Sequence, residues 1–246
     1  MGLIWDILPS TTLRAAAFST VKRPFAASQT VEPTQVAGFN QFFDDVDGTK
    51  TRRYGVGIDH TLSADLFGGI ELSWRDLEVP ILQLNFDERT LAFNLEDEEE
   101  QLHRAYLYWT PAPRWAFSAE AQREQFERTD EVGDTLRPTA LTTHRIPLVA
   151  NYYHPNGLFA RFGATYVDQD VDSLAGGESE GEENFWTADA TGGYRLPNRL
   201  GIAELSVRNV FNEDFRFEDT NFQLGEPRIS ILQPERQIFV RLIVSF

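Results

Sequence analysis

At 246 residues and 41% hydrophobic, the chain is long enough for one sizeable fold, and its mean hydropathy of -0.35 resembles that of a water-soluble protein. A membrane β-barrel gives the same average, because lumen-facing residues and polar loops dilute the lipid-facing ones. The net charge of -16, from 38 acidic against 22 basic residues, argues against a nucleic-acid partner; the absence of Cys excludes a disulfide framework and any Cys-based metal site. No stretch approaches the roughly 18 apolar residues of a membrane helix, so any spanning structure must be a closed sheet.

Alternation of apolar and polar residues predicts about ten strand segments with a consistent apolar face. Met1-Gly-Leu-Ile-Trp-Asp6 begins as strand, with no secretory leader ahead of it. Leu13, Ala15 and Ala17 begin the next segment, followed by Tyr54, Val56, Ile58, His60 and Leu62. Leu66, Gly68, Ile70, Leu72 and Trp74 oppose Gly69, Glu71, Ser73 and Arg75. Ala105, Leu107 and Trp109 precede a turn, and Trp115, Phe117, Ala119 and Ala121 follow it. Ile146 to Tyr152, Leu158 to Tyr166, Trp186 to Tyr194 and Ala203 to Val207 continue the pattern. Gln237 to Phe246 closes it, with Ile238, Val240, Leu242, Val244 and Phe246 on one face and Gln237, Arg241 and Ser245 on the other.

The connections alternate in length. Short turns are expected at Pro9-Ser10, Ser63-Ala-Asp65, Pro111 to Arg114, Pro155 to Gly157 and Pro197 to Arg199, all rich in hairpin-turn residues. Long polar connections are expected from Val21 to Thr51, Glu78 to Glu98, Arg128 to Thr139, Asp168 to Asn184 and Phe215 to Gln233. Short periplasmic turns with long external loops are the asymmetry of an outer-membrane barrel. The expected fold is therefore all-β, an antiparallel transmembrane β-barrel of the outer-membrane type. The acidic runs at Asp44-Asp45-Val46-Asp47, Glu96 to Glu100 and Glu178 to Glu183 read as solvated loop acid, without the spaced ligands of a divalent-cation site. Trp5, Trp109, Trp115, Tyr152, Tyr194 and Phe246 are placed toward the short-turn side, and Trp74, Tyr166, Trp186 and Phe215 toward the other, as two interfacial rings.

The segment Ser206-Val-Arg-Asn-Val-Phe-Asn-Glu-Asp-Phe215 resembles the Asn-Leu-Phe-Asn/Asp-x-x-Tyr/Phe signature near the C-terminus of TonB-dependent outer-membrane receptors. Asn209, Val210, Phe211, Asn212 and Phe215 carry the likeness, and Pro234-Glu-Arg236 leading into a strand that ends at Phe246 is similar to the family's closing hairpin. Asn209 and Asn212 are placed to satisfy exposed backbone where the strand leaves the membrane, with Phe211 and Phe215 packing at that rim. The resemblance implies a barrel of about 22 strands, filled by an N-terminal plug, that imports a scarce nutrient such as a metal chelate using energy relayed by a periplasmic coupling protein. It also implies that Val240, Leu242, Val244 and Phe246 form a recognition signal for the outer-membrane assembly machinery.

The chain departs from that pattern: it carries no candidate plug, no N-terminal coupling box and about half the family's strands. Residues 1–246 read as a single barrel domain or the C-terminal portion of a larger barrel, whether a fragment, a truncated reading frame or a remnant. Catalysis has little support. His60, His103, His144 and His154 fall in different strands or turns without His-x-x-x-His spacing, His60 sits on the lipid-facing row near a turn, and no Gly-x-Ser-x-Gly elbow occurs. The expectation is a non-enzyme in the outer membrane of a Gram-negative bacterium, with no cofactor, no metal and no nucleic acid. Its partners would be outer-membrane lipid, lipopolysaccharide and the assembly machinery, plus a periplasmic coupling protein if the full-length parent has a plug. Two other readings stay open: the barrel of an export or assembly protein with a missing N-terminal interaction domain, and an outer-membrane barrel enzyme.

Overall fold

The structure, a computed structural model, describes residues 1–22, 35–40, 45–85, 90–129, 138–173, 181–215 and 235–244. The strands in chain order are β1 (Gly2–Leu8), β2 (Thr11–Val21), β3 (Gln35–Val36), β4 (Phe39–Asn40), β5 (Lys50–Ser63), β6 (Leu66–Asn85), β7 (Thr90–Ala112), β8 (Trp115–Arg128), β9 (Pro138–Tyr153), β10 (Leu158–Ser173), β11 (Gly181–Leu196), β12 (Gly201–Arg208) and β13 (Gln237–Val244). Eleven of them form one antiparallel up-and-down sheet in the order β1-β2-β5-β6-β7-β8-β9-β10-β11-β12-β13, while β3 and β4 form a separate hairpin. Each short turn expected from the sequence joins two neighbouring strands, and the long connections leave from the opposite end.

Burial in this sheet is inverted. The alternating apolar row lies on the convex face and is open: Ile58, Ile70, Leu107, Leu148, Phe162 and Leu205 are all exposed, and Val240 reaches 81%. The polar row lies on the concave face and is closed: Arg53 is 3% exposed and Gln169 2%, and Glu71, Ser73, Arg75 and Thr143 are likewise buried. In water this would leave a large contiguous apolar surface exposed. In a bilayer it puts hydrocarbon against hydrocarbon and polar groups toward a wet lumen.

Aromatic rings mark both edges of the apolar band. At the short-turn end Trp115 packs on Tyr152 at 4.8 Å and on Phe117 at 5.6 Å, with Trp109 5.5 Å from Phe117. At the other edge Tyr166 lies 5.2 Å from Trp186, and Trp74 meets the His103 ring at 5.4 Å. Along β6 eight positions separate Leu66, the partner of Trp109, from Trp74, and along β11 eight separate Tyr194 from Trp186. At about 3.3 Å per residue and a tilt near 40°, that is roughly 20 Å of membrane normal, close to the apolar band of such barrels.

Four expectations need correction. The stretch from Glu78 to Glu98 is not a loop: β6 and β7 run to Asn85 and from Thr90, remaining paired well beyond the Trp74 ring. The acidic run Glu96 to Glu100 is therefore strand, with alternate members turned inward; Glu96 and Glu98 are buried, and Arg128 lies 3.9 Å from Glu96. Alternation converts what looks like a solvated run into two faces, one of which meets arginine. Between Asp168 and Asn184, β10 likewise continues to Ser173 and β11 starts at Gly181, so Glu182 and Glu183 are strand residues. Phe215 does not join the outer ring, because it stacks at 4.3 Å on buried Phe185, whose partner across the ladder is buried Val167. Ser245 and Phe246 lie outside the described residues, as do Asp44 and Glu178.

Candidate functional site

The concave wall is the place where this chain collects chemistry. Cross-strand pairing sets Arg14, Gly57, Glu71 and Arg104 in one row, and Asp59, Gly69 and Tyr106 in the next. Arg14 Nε donates to Asp59 Oδ2 at 2.6 Å and its Nη2 to Glu71 Oε2 at 3.1 Å; Arg104 Nη2 lies 3.7 Å from the same Glu71 oxygen. The Tyr106 hydroxyl donates to Asp59. Glycine opens the space: a Cβ on Gly57 would meet Arg14 Nη2 at 3.0 Å, and one on Gly69 would meet the Tyr106 hydroxyl at 2.6 Å. Two carboxylates thus sit between two guanidiniums at membrane depth, where unpaired charge is costly.

Nearer the long-loop end, Arg75 bonds Asp45 at 2.7 and 2.8 Å and Glu100 at 2.6 Å, and Arg53 donates to Ser73 Oγ at 3.2 Å. Arg53, Ser73, Arg75 and Glu100 border a recess of about 310 Å³ whose far side is Glu124, Phe126, Leu141 and Thr143. A wider recess of about 840 Å³ covers the β9–β13 part of the wall, with Arg161, Thr165, Thr187, Thr191, Ser206 and Arg208 facing it. Beyond the apolar band the cross-strand pair Lys50–Glu78 bonds at 2.8 Å, and the ammonium holds the Glu78 carboxyl below the usual carboxylate range. In the turn between β5 and β6, a 2.5 Å bond from Ser63 does the same for Asp65.

The signature residues gather where β12 ends. Asn209 adopts φ +48° and Asn212 φ +57°, conformations that Asn tolerates better than most residues. Asn209 Nδ2 donates to Glu213 O at 2.8 Å and its Oδ1 accepts from Glu213 N at 2.9 Å, while its own N–H donates to Asp189. Asn212 Oδ1 accepts from Arg236 N at 2.9 Å, tying the end of β12 to the entry of β13. Val210 N donates to Ala188 O, and Phe211 points into the open with 69% exposure. Val240, Leu242 and Val244 occupy the convex face of β13. Leu242 pairs with Ala203, itself paired with Tyr194, so it sits at the short-turn edge of the band rather than at its centre.

The four histidines do not meet. His60 bonds Thr11 at 2.8 Å on the convex face, His103 packs on Trp74, His144 lies between Arg123 and Asp168 in the ladder, and His154 is in the β9–β10 turn. Among the described residues no three His, Asp or Glu side chains come together with metal-binding geometry. Sequence reasoning missed the Arg14–Asp59–Glu71–Arg104 network, whose signal was arginine and acid on the polar row beside Gly55-x-Gly57 and Gly68-Gly69. It also missed the β3–β4 hairpin, marked by Ala37-Gly38 between Val36 and Phe39.

No protein-family model and no curated protein sequence matches the chain. Solved structures do. The ferric-catecholate import receptor Fiu from Escherichia coli K12 superposes with a TM-score of 0.58 at 17% identity over 97% of this chain and 33% of its own. A FadL homologue of Pseudomonas aeruginosa gives 0.33 at 11% identity, over 84% of this chain and 58% of its own. The Ralstonia pickettii toluene transporter TbuX gives 0.30 at 10% identity, over 84% and 74%. The chain spans about a third of the length of Fiu, and its fold is that of the outer-membrane β-barrels.

Proposed function

We propose that the chain forms the C-terminal barrel portion of an outer-membrane receptor of the TonB-dependent kind, in a Gram-negative cell, which takes up a scarce nutrient such as a metal chelate by energy-coupled transport. The observation that carries this reading is the end of β12, where Asn209 and Asn212 of the signature organise the exit backbone above a sheet with an apolar convex face and a charged concave one. The fold shared with a ferric-catecholate import receptor supports it. The chain acts by binding and conducting rather than by catalysis. Its outside meets lipid and lipopolysaccharide, its last strand is read by the assembly machinery, and, if the full-length parent has a plug, a periplasmic coupling protein acts on it through that plug.

The test is growth under iron limitation of cells with and without the full-length parent, supplied with a panel of ferric chelates, in coupling-competent and coupling-deficient backgrounds. Uptake of at least one chelate that needs both the parent and the coupling protein is expected. Equal growth in all four strains on every chelate would remove the receptor reading, and fractionation of the protein away from the outer membrane would remove the barrel reading.

A further inference from the structure

The apolar convex face is not uniformly thick. Cross-strand pairing sets Gly192 of β11 between Ala160 of β10 and Leu205 of β12, and in the next row sets Ala190 between Phe162 and Val207. Trp115 and Tyr152, themselves paired, flank Ala160 on the β8–β9 side. Small side chains between large ones leave an apolar groove of about 620 Å³ over β8 to β12. A Cβ added at Gly192 would meet nothing within 4 Å, so the space above this strand is open.

Depth in the membrane selects what fills it. Ala190 lies four positions from Tyr194 in the short-turn aromatic ring, roughly 10 Å along the membrane normal at about 3.3 Å per residue and a tilt near 40°. Ala188, the next residue on the same row, is only 3% exposed, so the groove stops there. It therefore occupies the periplasmic half of the apolar band, where an unfilled space forfeits dispersion contacts along its lining and a flexible acyl chain restores them.

Charge at the groove's two ends differs in sign. The connections below it, β7–β8, β9–β10 and β11–β12, carry Arg114, His154 and Arg199 and no acidic residue, in a chain of net charge -16. Arg114 directly precedes Trp115, and the His154 ring lies 6.2 Å from that of Tyr152. At the far end of β10 and β11 the same convex face turns acidic, with Asp168 two positions from the paired Asp170 and Glu182. A lipid phosphate is complemented at the short-turn end and repelled at the other.

We propose that the β8–β12 groove binds one acyl chain of a glycerophospholipid from the periplasmic leaflet, with the lipid phosphate lying against the Arg114 and His154 turns. The inference rests on the barrel reading above and not on the identity of any imported nutrient. Surrounding lipid is as apolar as the groove, so the site retains its lipid by fit of the chain and by the phosphate contact.

The test uses the full-length parent extracted from outer membranes in mild detergent and weighed by native mass spectrometry. One retained phospholipid per heat-modifiable barrel is expected. Gly192→Leu fills the open space with a side chain the bilayer accepts, and should lower that retention at least about tenfold while the protein stays heat-modifiable; Ala190→Phe should act alike. Ala105→Leu, exposed on the same face outside the groove, should leave retention unchanged. Arg114→Gln with His154→Gln should lower retention several-fold at low salt and less at high salt. In vesicles of phosphatidylethanolamine and phosphatidylglycerol, a phosphatidylglycerol carrying a diazirine in one chain should label residues 150–162 and 190–207, and Gly192→Leu should abolish that labelling. Retention indifferent to Gly192→Leu and Ala190→Phe, or labelling spread evenly over the convex strands, would overturn the site. So would a groove-dependent lipid that weighs as lipopolysaccharide, or a dimer of the parent that Gly192→Leu dissociates. Protein that never becomes heat-modifiable would overturn the barrel reading as well, and so the two failures are told apart.

Discussion

Phe162 lies four positions from Leu158, the partner of Tyr194 at one aromatic ring, and four from Tyr166 at the other, and it is exposed on the convex face. It therefore sits near the bilayer midplane, and Phe162→Arg should cost roughly 2 to 4 kcal/mol of folding free energy, against about 0 to 1 for Leu242→Arg near the interface. Thr165→Arg, on the lumen face, should cost less than Phe162→Arg although it is only three residues away. Urea unfolding in phospholipid vesicles measures all three, and equal costs at positions 162 and 165 would mean the faces are wrongly assigned. At the rim, Glu78 has its pKa lowered chiefly by the bond from Lys50. A carboxylate with a depressed folded value favours the folded state above its unfolded pKa and loses that contribution as pH falls through the folded value. Lys50→Met should raise the Glu78 pKa toward 4.5 in a carbon-13 carboxyl titration, with little change in stability because the pair is exposed.

Among the elements, those whose identity depends on period-two alternation were legible, and those that depend on pairing were not. Tyr54 to Leu62 and Leu158 to Tyr166 announce strand and face together, since lipid demands an unbroken apolar row. The extensions of β6 and β7 beyond Trp74 lie outside lipid, where one face holds Leu77 and Val79 and its neighbour on β7 holds Glu96 and Glu98. There the hydrophobic code no longer applies, and ladder hydrogen bonds and arginine decide the structure. The left-handed turn at Asn209 and Asn212 was legible, because Asn at a strand end favours that backbone. The Arg14 network was not, because its members are separated by up to 90 residues and meet only through register. Asn209→Ala should cost about 1 to 3 kcal/mol, since it removes two bonds to Glu213 from a buried position and places Ala at positive φ. Asn209→Gly, which keeps the turn and loses only the side-chain bonds, should recover part of that cost in the same unfolding measurement.

For the whole molecule, strand parity decides how a barrel built on this sheet can close. The eleven strands alternate strictly, so β1 and β13 both run toward the short-turn end. No β1–β13 pairing joins the two edges among the described residues, and direct closure would require them to pair in parallel. Each open edge would leave roughly seven backbone groups facing hydrocarbon, and at several kcal/mol apiece that exceeds the about 5 to 15 kcal/mol stability of a domain. An odd number of additional antiparallel strands removes both edges and gives the even total of bacterial outer-membrane barrels. Refolded by itself in detergent, the chain should therefore show strand by circular dichroism yet associate into larger species without a heat-modifiable monomer. Supplied with the remaining strands of a full-length parent, it should give one closed, heat-modifiable barrel. A heat-modifiable monomer of the chain alone, with a disulfide between cysteines introduced at Trp5 and Val240, would instead establish a parallel β1–β13 seam.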